Sequence, residues 1–99
     1  MNLTQDEREI LNFVLKGKIR SKILLSINNN IKSPTDIAKE INIHLSSVCR
    51  AVNSLVTKEI IIPLSLNKNG NNFYRINDIK FTTKLNEIFR NKFIQFKNI

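Results

Sequence analysis

The sequence predicts a single, mainly α-helical domain with one small β-hairpin. Its 99 residues leave room for one hydrophobic core of ordinary size. Hydrophobic residues make up 41% of the chain and charged residues 24%, with two glycines and two prolines, which is typical of a globular, helix-rich protein. Apolar side chains recur at helical spacing along most of the chain, and one segment has the pattern of two strands joined by a polar turn. We therefore expect one domain over residues 1–99.

The N-terminal part of the chain, residues 1–28, is expected to form either one bent helix or two helices. Thr4 and Glu7 have the spacing of a capping box, which satisfies amides that a helix leaves unpaired at its start. Gly17 lies between two apolar stretches, where it either ends the first helix or loosens it. The apolar positions at helical spacing are Ile10, Leu11, Val14, Leu15, Ile19, Ile23, Leu24 and Ile27.

Residues 33–58 have the pattern of a helix-turn-helix motif. Ser33 followed by Pro34 is a typical helix start, and Asn42 suits the left-handed conformation that ends a helix. Ala38 is small enough for a second helix to cross closely. The apolar positions that the motif needs are filled by Ile37, Ile41, Ile43, Val48, Ala51 and Val52. An ordinary helical hairpin has the same pattern and is the alternative.

Residues 60–76 are expected to form a two-stranded hairpin. The apolar segment 60–66 and the segment 73–76 are separated by a polar, asparagine-rich turn that contains Asn-Gly. The hairpin therefore has a basic, asparagine-rich tip.

Residues 78–97 are expected to form a terminal amphipathic helix that mediates a symmetric homodimer. Four of the six apolar residues at helical spacing in this segment are phenylalanines, which is more apolar surface than a small domain is expected to cover alone. The alternative is that the helix folds back over its own core. The predicted dimer-interface residues are Phe81, Leu85, Ile88, Phe89, Phe93 and Phe96.

The chain is strongly basic, and most of the excess lies near its C-terminus. Sixteen lysines and arginines oppose eight acidic residues, for a net charge of +8. Residues 60–99 hold seven basic and two acidic residues, which gives +5 of that charge. Such a surface attracts a polyanion at moderate salt, so nucleic acid is the expected partner.

Other classes of function lack supporting residues in the sequence. A single histidine provides no histidine-based metal cluster, and the single cysteine, Cys49, cannot form an internal disulfide, so we expect neither a metal nor a cofactor. Catalysis is not expected, because the sequence shows no nucleophile with a base, no glycine-rich phosphate loop and no plausible carboxylate pair. No apolar run approaches the ~20 residues that cross a bilayer, and a signal-peptide pattern is missing, which predicts a cytoplasmic protein without a membrane partner. The sequence identifies no effector ligand and no role for Cys49.

The order of these elements resembles the winged helix-turn-helix transcriptional regulators of archaea and bacteria, of the ArsR and MarR kind. The resemblance covers roughly residues 16–76, and it rests on the stretches 18–24 (KIRSKIL), 33–40 (SPTDIAKE), 47–52 (SVCRAV), 55–61 (LVTKEII) and 74–76 (YRI). It implies a winged helix-turn-helix fold with a C-terminal dimerisation helix. The function that it implies is sequence-specific binding of double-stranded DNA by a homodimer that regulates transcription. A winged-helix module that binds another protein, without specific DNA binding, is the alternative.

The resemblance also implies which residues contact DNA. The second helix of the motif, beginning near Leu45, enters the major groove, and the hairpin lies along the backbone or the minor groove. Arg50 can pair with guanine or clamp a phosphate, and Asn53 can pair with adenine. Thr35 and His44 are candidates for phosphate contacts. The remaining candidates are Ser46, Ser47 and Ser54 on the helix, and Lys68, Asn69, Asn71, Asn72 and Arg75 on the hairpin.

Overall fold

The computed structural model describes residues 2–65 and 72–97, with side chains described as far as residue 93 in the last helix. Within these ranges the chain forms five helices and one antiparallel hairpin, which confirms the predicted fold class. The elements are α1 (Gln5–Lys16), α2 (Lys18–Ile27), α3 (Pro34–Ile41), α4 (Leu45–Thr57), β1 (Ile61–Ser65), β2 (Asn72–Ile76) and α5 (Thr83–Lys97). No helix in the described part of the chain is both long and apolar enough to span a membrane.

The N-terminal part folds as two helices rather than as one bent helix. α1 begins at the predicted capping box: Thr4 Oγ1 accepts a hydrogen bond from the Glu7 amide, and the Glu7 carboxylate accepts one from the Thr4 amide. Gly17 ends α1 in an extended conformation, with φ of −104° and ψ of 108°, and α2 begins at the next residue. The chain therefore turns at a single glycine.

Side chains of α2 satisfy the last carbonyls of α1. The Arg20 guanidinium donates to the Phe13 carbonyl oxygen over 2.6 and 3.0 Å and lies 3.9 Å from the centroid of the Phe13 ring. Ser21, which is buried, donates from Oγ to the Val14 carbonyl oxygen over 2.8 Å. Because a helix leaves its last carbonyls unpaired, these bonds fix the angle between the two helices. Arg20 has a structural role here.

α3 and α4 form the helix-turn-helix. Ser33 is the N-cap of α3, and its Oγ accepts a hydrogen bond from the Asp36 amide. Asn42 ends α3 in the predicted left-handed conformation, with φ of 56°. The Ile43 amide then donates to the Ala38 carbonyl, which closes the turn. The buried side chains that join this motif to α2 are Ile23, Leu24, Ile27, Ile37, Val48, Val52 and Leu55.

A third extended segment, which the sequence did not predict, joins the hairpin. β1 and β2 are antiparallel, with Pro63 opposite Tyr74. Tyr74 exchanges both of its backbone hydrogen bonds with Lys32, which lies just before α3. These bonds lie on the side of β2 that faces away from β1, so Tyr74 and Pro63 do not bond each other. The backbone nitrogen of Pro63 therefore points away from β2, where its missing hydrogen breaks no bond between the strands. The bridge ties the hairpin to the start of the helix-turn-helix.

α5 contributes to the core of its own protomer, which corrects the predicted dimer interface. The helix begins at Thr83, after a turn at 78–80 that the predicted range of the helix included. Phe81, Leu85 and Phe89 are 1%, 0% and 0% exposed. A side chain that is buried within its own protomer has no surface left for a second copy, so the interface prediction is wrong for these three residues. Helical spacing identifies an apolar face but does not identify what covers it.

The other predicted interface residues have different positions. Ile88 and Phe93 are half-buried, and the Phe93 ring lies 6.1 Å from that of Phe89. The side chain of Phe96 lies outside the described part of the structure. α5 packs against α1, where Lys84 Nζ lies 3.0 Å from a Glu7 carboxylate oxygen.

Candidate nucleic-acid interface

α4 exposes a polar stripe opposite its buried face. Ser46, Arg50 and Asn53 follow one another at intervals of four and three residues and are all exposed, so they lie on one side of the helix. Thr57 is also exposed and continues the same series one turn later. We call these four residues the α4 stripe. The structure therefore places the three candidates on one surface, and it adds Thr57, which the same spacing would have identified in the sequence.

The two other serine candidates lie beside the α4 stripe and are half-buried. Ser54 donates from Oγ to the Ala51 carbonyl over 2.7 Å, so its hydroxyl hydrogen is already used within the helix. Ser47 lies in the first turn of α4.

The first turn of α4 has backbone amides available for an anion. His44 is the N-cap residue, but its side chain makes no capping hydrogen bond. The first hydrogen bond of the helix runs from the Val48 amide to the His44 carbonyl. The amides of Leu45, Ser46 and Ser47 therefore have no protein partner among the described residues. Free amides at the positive end of a helix favour a phosphate group, and the exposed residue His44 directly precedes them in the chain.

The first turn of α3 offers less to a phosphate. The Asp36 amide is taken by Ser33, and Pro34 has no amide, so the Thr35 amide is the one available in this turn of the described structure. The Asp36 carboxylate also lies in this turn and repels an anion. Thr35 is exposed and borders, with His44, a surface depression of about 460 Å³ at the turn of the motif. The two residues predicted to contact phosphate therefore lie at one place, and the turn at α4 offers more free amides than the turn at α3.

The hairpin presents part of the predicted basic surface. Arg75 is exposed on β2 opposite Ile62, and Asn72 is exposed at the end of the strand opposite Ser65. The other three hairpin candidates, Lys68, Asn69 and Asn71, lie outside the described residues, and their role stays a prediction.

Several charged side chains are used inside the fold. Glu40 on α3 accepts hydrogen bonds from Lys32 and from the buried Ser26 on α2. Both bonds hold the pKa of the Glu40 carboxyl below its ordinary value, and the bond from Lys32 has the larger effect. The pKa of the Glu7 carboxyl is lowered in the same way. The hydrogen bond from the Thr4 amide has the largest effect and that from Lys84 the second largest.

Other basic residues stay available on the surface of the motif and of the hairpin. Arg50, Arg75 and Lys39 are exposed and form no ion pair within the part of the chain that the structure describes. Cys49, on α4, is a half-buried free thiol. In the described ranges no three histidine, cysteine or acidic side chains converge on a point where they would hold a metal ion.

Comparison with solved structures identifies the fold. HlyU from Vibrio cholerae aligns with 91% of this chain and 91% of its own, with a TM-score of 0.69 and 13% identity. A mutant of TubR, a protein of type III plasmid segregation, aligns with 95% of this chain and 99% of its own, with a TM-score of 0.73 and 17% identity. A homodimeric winged helix-turn-helix DNA-binding domain from Mycobacterium bovis, described as a possible ArsR-family transcriptional regulator, aligns with 93% of this chain and 80% of its own, with a TM-score of 0.65 and 14% identity.

The chain therefore has the winged helix-turn-helix fold, in which α4 is the second helix of the motif and the β1–β2 hairpin is the wing. No family model matches the chain, and no curated protein matches it in sequence.

Proposed function

We propose that this protein is a transcriptional regulator that binds specific sites in double-stranded DNA as a homodimer. The observation that carries the proposal is α4, which combines an exposed polar stripe with free amides at its N-terminus. The major groove of B-DNA admits an α-helix, and a helix presented in this way offers side chains to the base edges and amides to the phosphates. The net charge of +8 supplies attraction that does not depend on sequence.

The residues of this surface divide into readers and positioning contacts. Arg50 reads guanine through two parallel hydrogen bonds, and Asn53 reads adenine in the same manner. His44 and the free amides behind it hold a phosphate and fix the depth of α4 in the groove. Arg75 on the wing contacts the backbone or the minor groove. The predicted tip residues Lys68, Asn69 and Asn71, together with Asn72 and Thr35, extend the set of positioning contacts.

A homodimer accounts for the apolar surface that remains on α5 and explains how one short helix selects a site. Ile88 and Phe93 are half-buried after the core is complete. The similar domain from Mycobacterium bovis is described as homodimeric. Two copies related by a two-fold axis present two α4 helices about 34 Å apart, one turn of DNA, and read a palindromic sequence.

Selection of duplexes from a random pool, followed by fluorescence-anisotropy titrations of a selected site, tests DNA binding. Arg50→Ala is expected to relax the preference at one base pair and to weaken binding of the selected site about 5- to 150-fold, since a bidentate pair discriminates by about 1–3 kcal/mol. Arg75→Ala is expected to weaken all duplexes alike and to reduce the slope of log affinity against log salt by about 1.

The matched control is Arg8→Ala, which removes the same charge from an exposed position on α1. The duplexes selected by Arg8→Ala are expected to show the same base preference at every position as those selected by the wild type. Failure of the protein to retain any duplex at low salt, or unchanged preferences in Arg50→Ala, contradicts the proposal. Capture of a protein partner by a chain that does not bind DNA would favour the alternative interaction module.

Sedimentation of Ile88→Glu tests the homodimer. A carboxylate at this half-buried position on both sides of a two-fold contact is expected to yield monomers at micromolar concentration. Ile79→Glu makes the same change at a side chain that is 91% exposed and is expected to leave the dimer intact. Circular dichroism confirms that both variants fold. An Ile88→Glu variant that sediments as the wild type excludes this face of α5 from the contact.

A further inference from the structure

Leu45 is an exposed apolar side chain at the start of α4. Leu45 is 46% exposed and takes no part in the core. Ile43, two residues earlier, packs against the core. The other exposed large apolar side chains among the described residues are Ile31, at 47%, and Ile79, at 91%. Leu45 differs from them because it lies within the candidate nucleic-acid interface, between His44 and Ser46.

The position of Leu45 in the helix determines where its side chain reaches. Each Cα–Cβ bond of an α-helix tilts toward the N-terminus, so the side chain of the first residue extends past the end of the helix. The free amides of Leu45, Ser46 and Ser47 face the same end. A duplex whose phosphate binds these amides therefore also comes next to the leucine side chain.

We propose that Leu45 contacts the 5-methyl group of a thymine in the major groove and so makes that thymine part of the recognised sequence. This inference rests on the proposed function. The thymine methyl is the apolar group that base edges present in the major groove. Contact between Leu45 and the methyl group removes apolar surface of both from water, which is favourable. A base with a polar group at the same place gains nothing comparable from Leu45. Arg50 and Asn53 read guanine and adenine by hydrogen bonds, and Leu45 adds a methyl contact.

Replacement of single thymines by deoxyuridine in a selected duplex tests this contact, because it removes the methyl group and keeps the hydrogen-bonding edge. For the wild-type protein we expect one thymine in each half-site whose replacement weakens binding about fourfold, the value of one buried methyl group. For Leu45→Ala the same replacement is expected to have no effect. Both proteins are titrated by fluorescence anisotropy at one salt concentration.

Ile79→Ala is the matched control, because it shortens an exposed isoleucine in the turn at 78–80, outside the candidate nucleic-acid interface. This turn adjoins the C-terminal end of α4, where the Asn77 side chain donates to the Glu59 carbonyl. The control is expected to keep the wild-type sensitivity to deoxyuridine. Thermal unfolding of Leu45→Ala is expected to match the wild type, as befits a side chain outside the core.

The possible outcomes separate this inference from the proposed function. Sensitivity to deoxyuridine that is equal in wild type and Leu45→Ala, or absent from both, overturns the methyl contact while duplex binding itself stands. A fall of several degrees in the thermal midpoint of Leu45→Ala, without the selective loss of deoxyuridine sensitivity, also overturns it and assigns the residue to packing of the turn. A protein that retains no duplex from the pool overturns both proposals.

Discussion

Replacement of Phe89 by alanine tests whether the inner face of α5 belongs to the core of one protomer or to a contact between two protomers. Phe89 is 0% exposed, and its ring centroid lies 5.9 Å from that of Phe81 and 6.1 Å from that of Phe93. The substitution removes a buried ring and leaves a cavity between α5 and the rest of the core. We expect the loss to appear as reduced stability of the protomer itself.

The magnitude follows from the burial of the ring. A buried Phe→Ala change costs about 3–5 kcal/mol, and this range includes the two aromatic contacts. A domain of this size is stable by about 5–15 kcal/mol, so the variant keeps a fold but loses a large share of its stability. At roughly 4–8 °C for each kcal/mol, the thermal midpoint is expected to fall by roughly 20 °C.

Thermal unfolding followed by circular dichroism, at two protein concentrations tenfold apart, measures this effect. Loss of core packing lowers the midpoint by a similar amount at both concentrations, whereas loss of a contact between two protomers lowers it more at the higher concentration, where the dimer is more populated. Ile88→Ala, at the neighbouring half-buried position, is the control and is expected to lower the midpoint much less. The assignment of Phe89 to the core is refuted if Phe89→Ala unfolds within a few degrees of wild type but sediments as a monomer.

Three further changes test local features of the fold. Glu40→Gln weakens the contact with Lys32. Because the pKa of Glu40 is lowered in the folded protein, the urea midpoint of the wild type should exceed that of the variant near neutral pH. The difference between the two midpoints should shrink as the pH falls below 4.5 and through the folded-state pKa. Glu59→Gly relieves a left-handed conformation with φ of 61° and is expected to raise the free energy of unfolding by up to about 1 kcal/mol, whereas a loss in the urea titration contradicts this account. Ser33→Ala removes the cap from the Asp36 amide and is expected to lower the same quantity by about 1 kcal/mol, with Ser33→Thr retaining most of the stability.

Features that depend on a few neighbouring residues were predictable from the sequence. The capping box at Thr4, the start of α3 at Pro34 and the left-handed residue Asn42 all appear where expected, because each follows from local backbone chemistry. Periodic apolar residues also predicted the buried face of α4 and hence the exposed positions of Arg50 and Asn53. The fold class and most of the α4 stripe therefore follow from the chain alone.

Features that depend on contacts between residues distant in the sequence could be identified only from the tertiary structure. Arg20 resembles any surface arginine in the sequence, yet it is used to cap α1 through the Phe13 carbonyl. The bridge between Lys32 and Tyr74 joins segments 42 residues apart, and no local pattern indicates it. Phe89 shows the limit most clearly: its spacing marks an apolar face, but only the packing of α5 decides that the protomer's own core covers it. A periodic pattern specifies which side of a helix avoids water, and the arrangement of the other elements in space decides what it meets there.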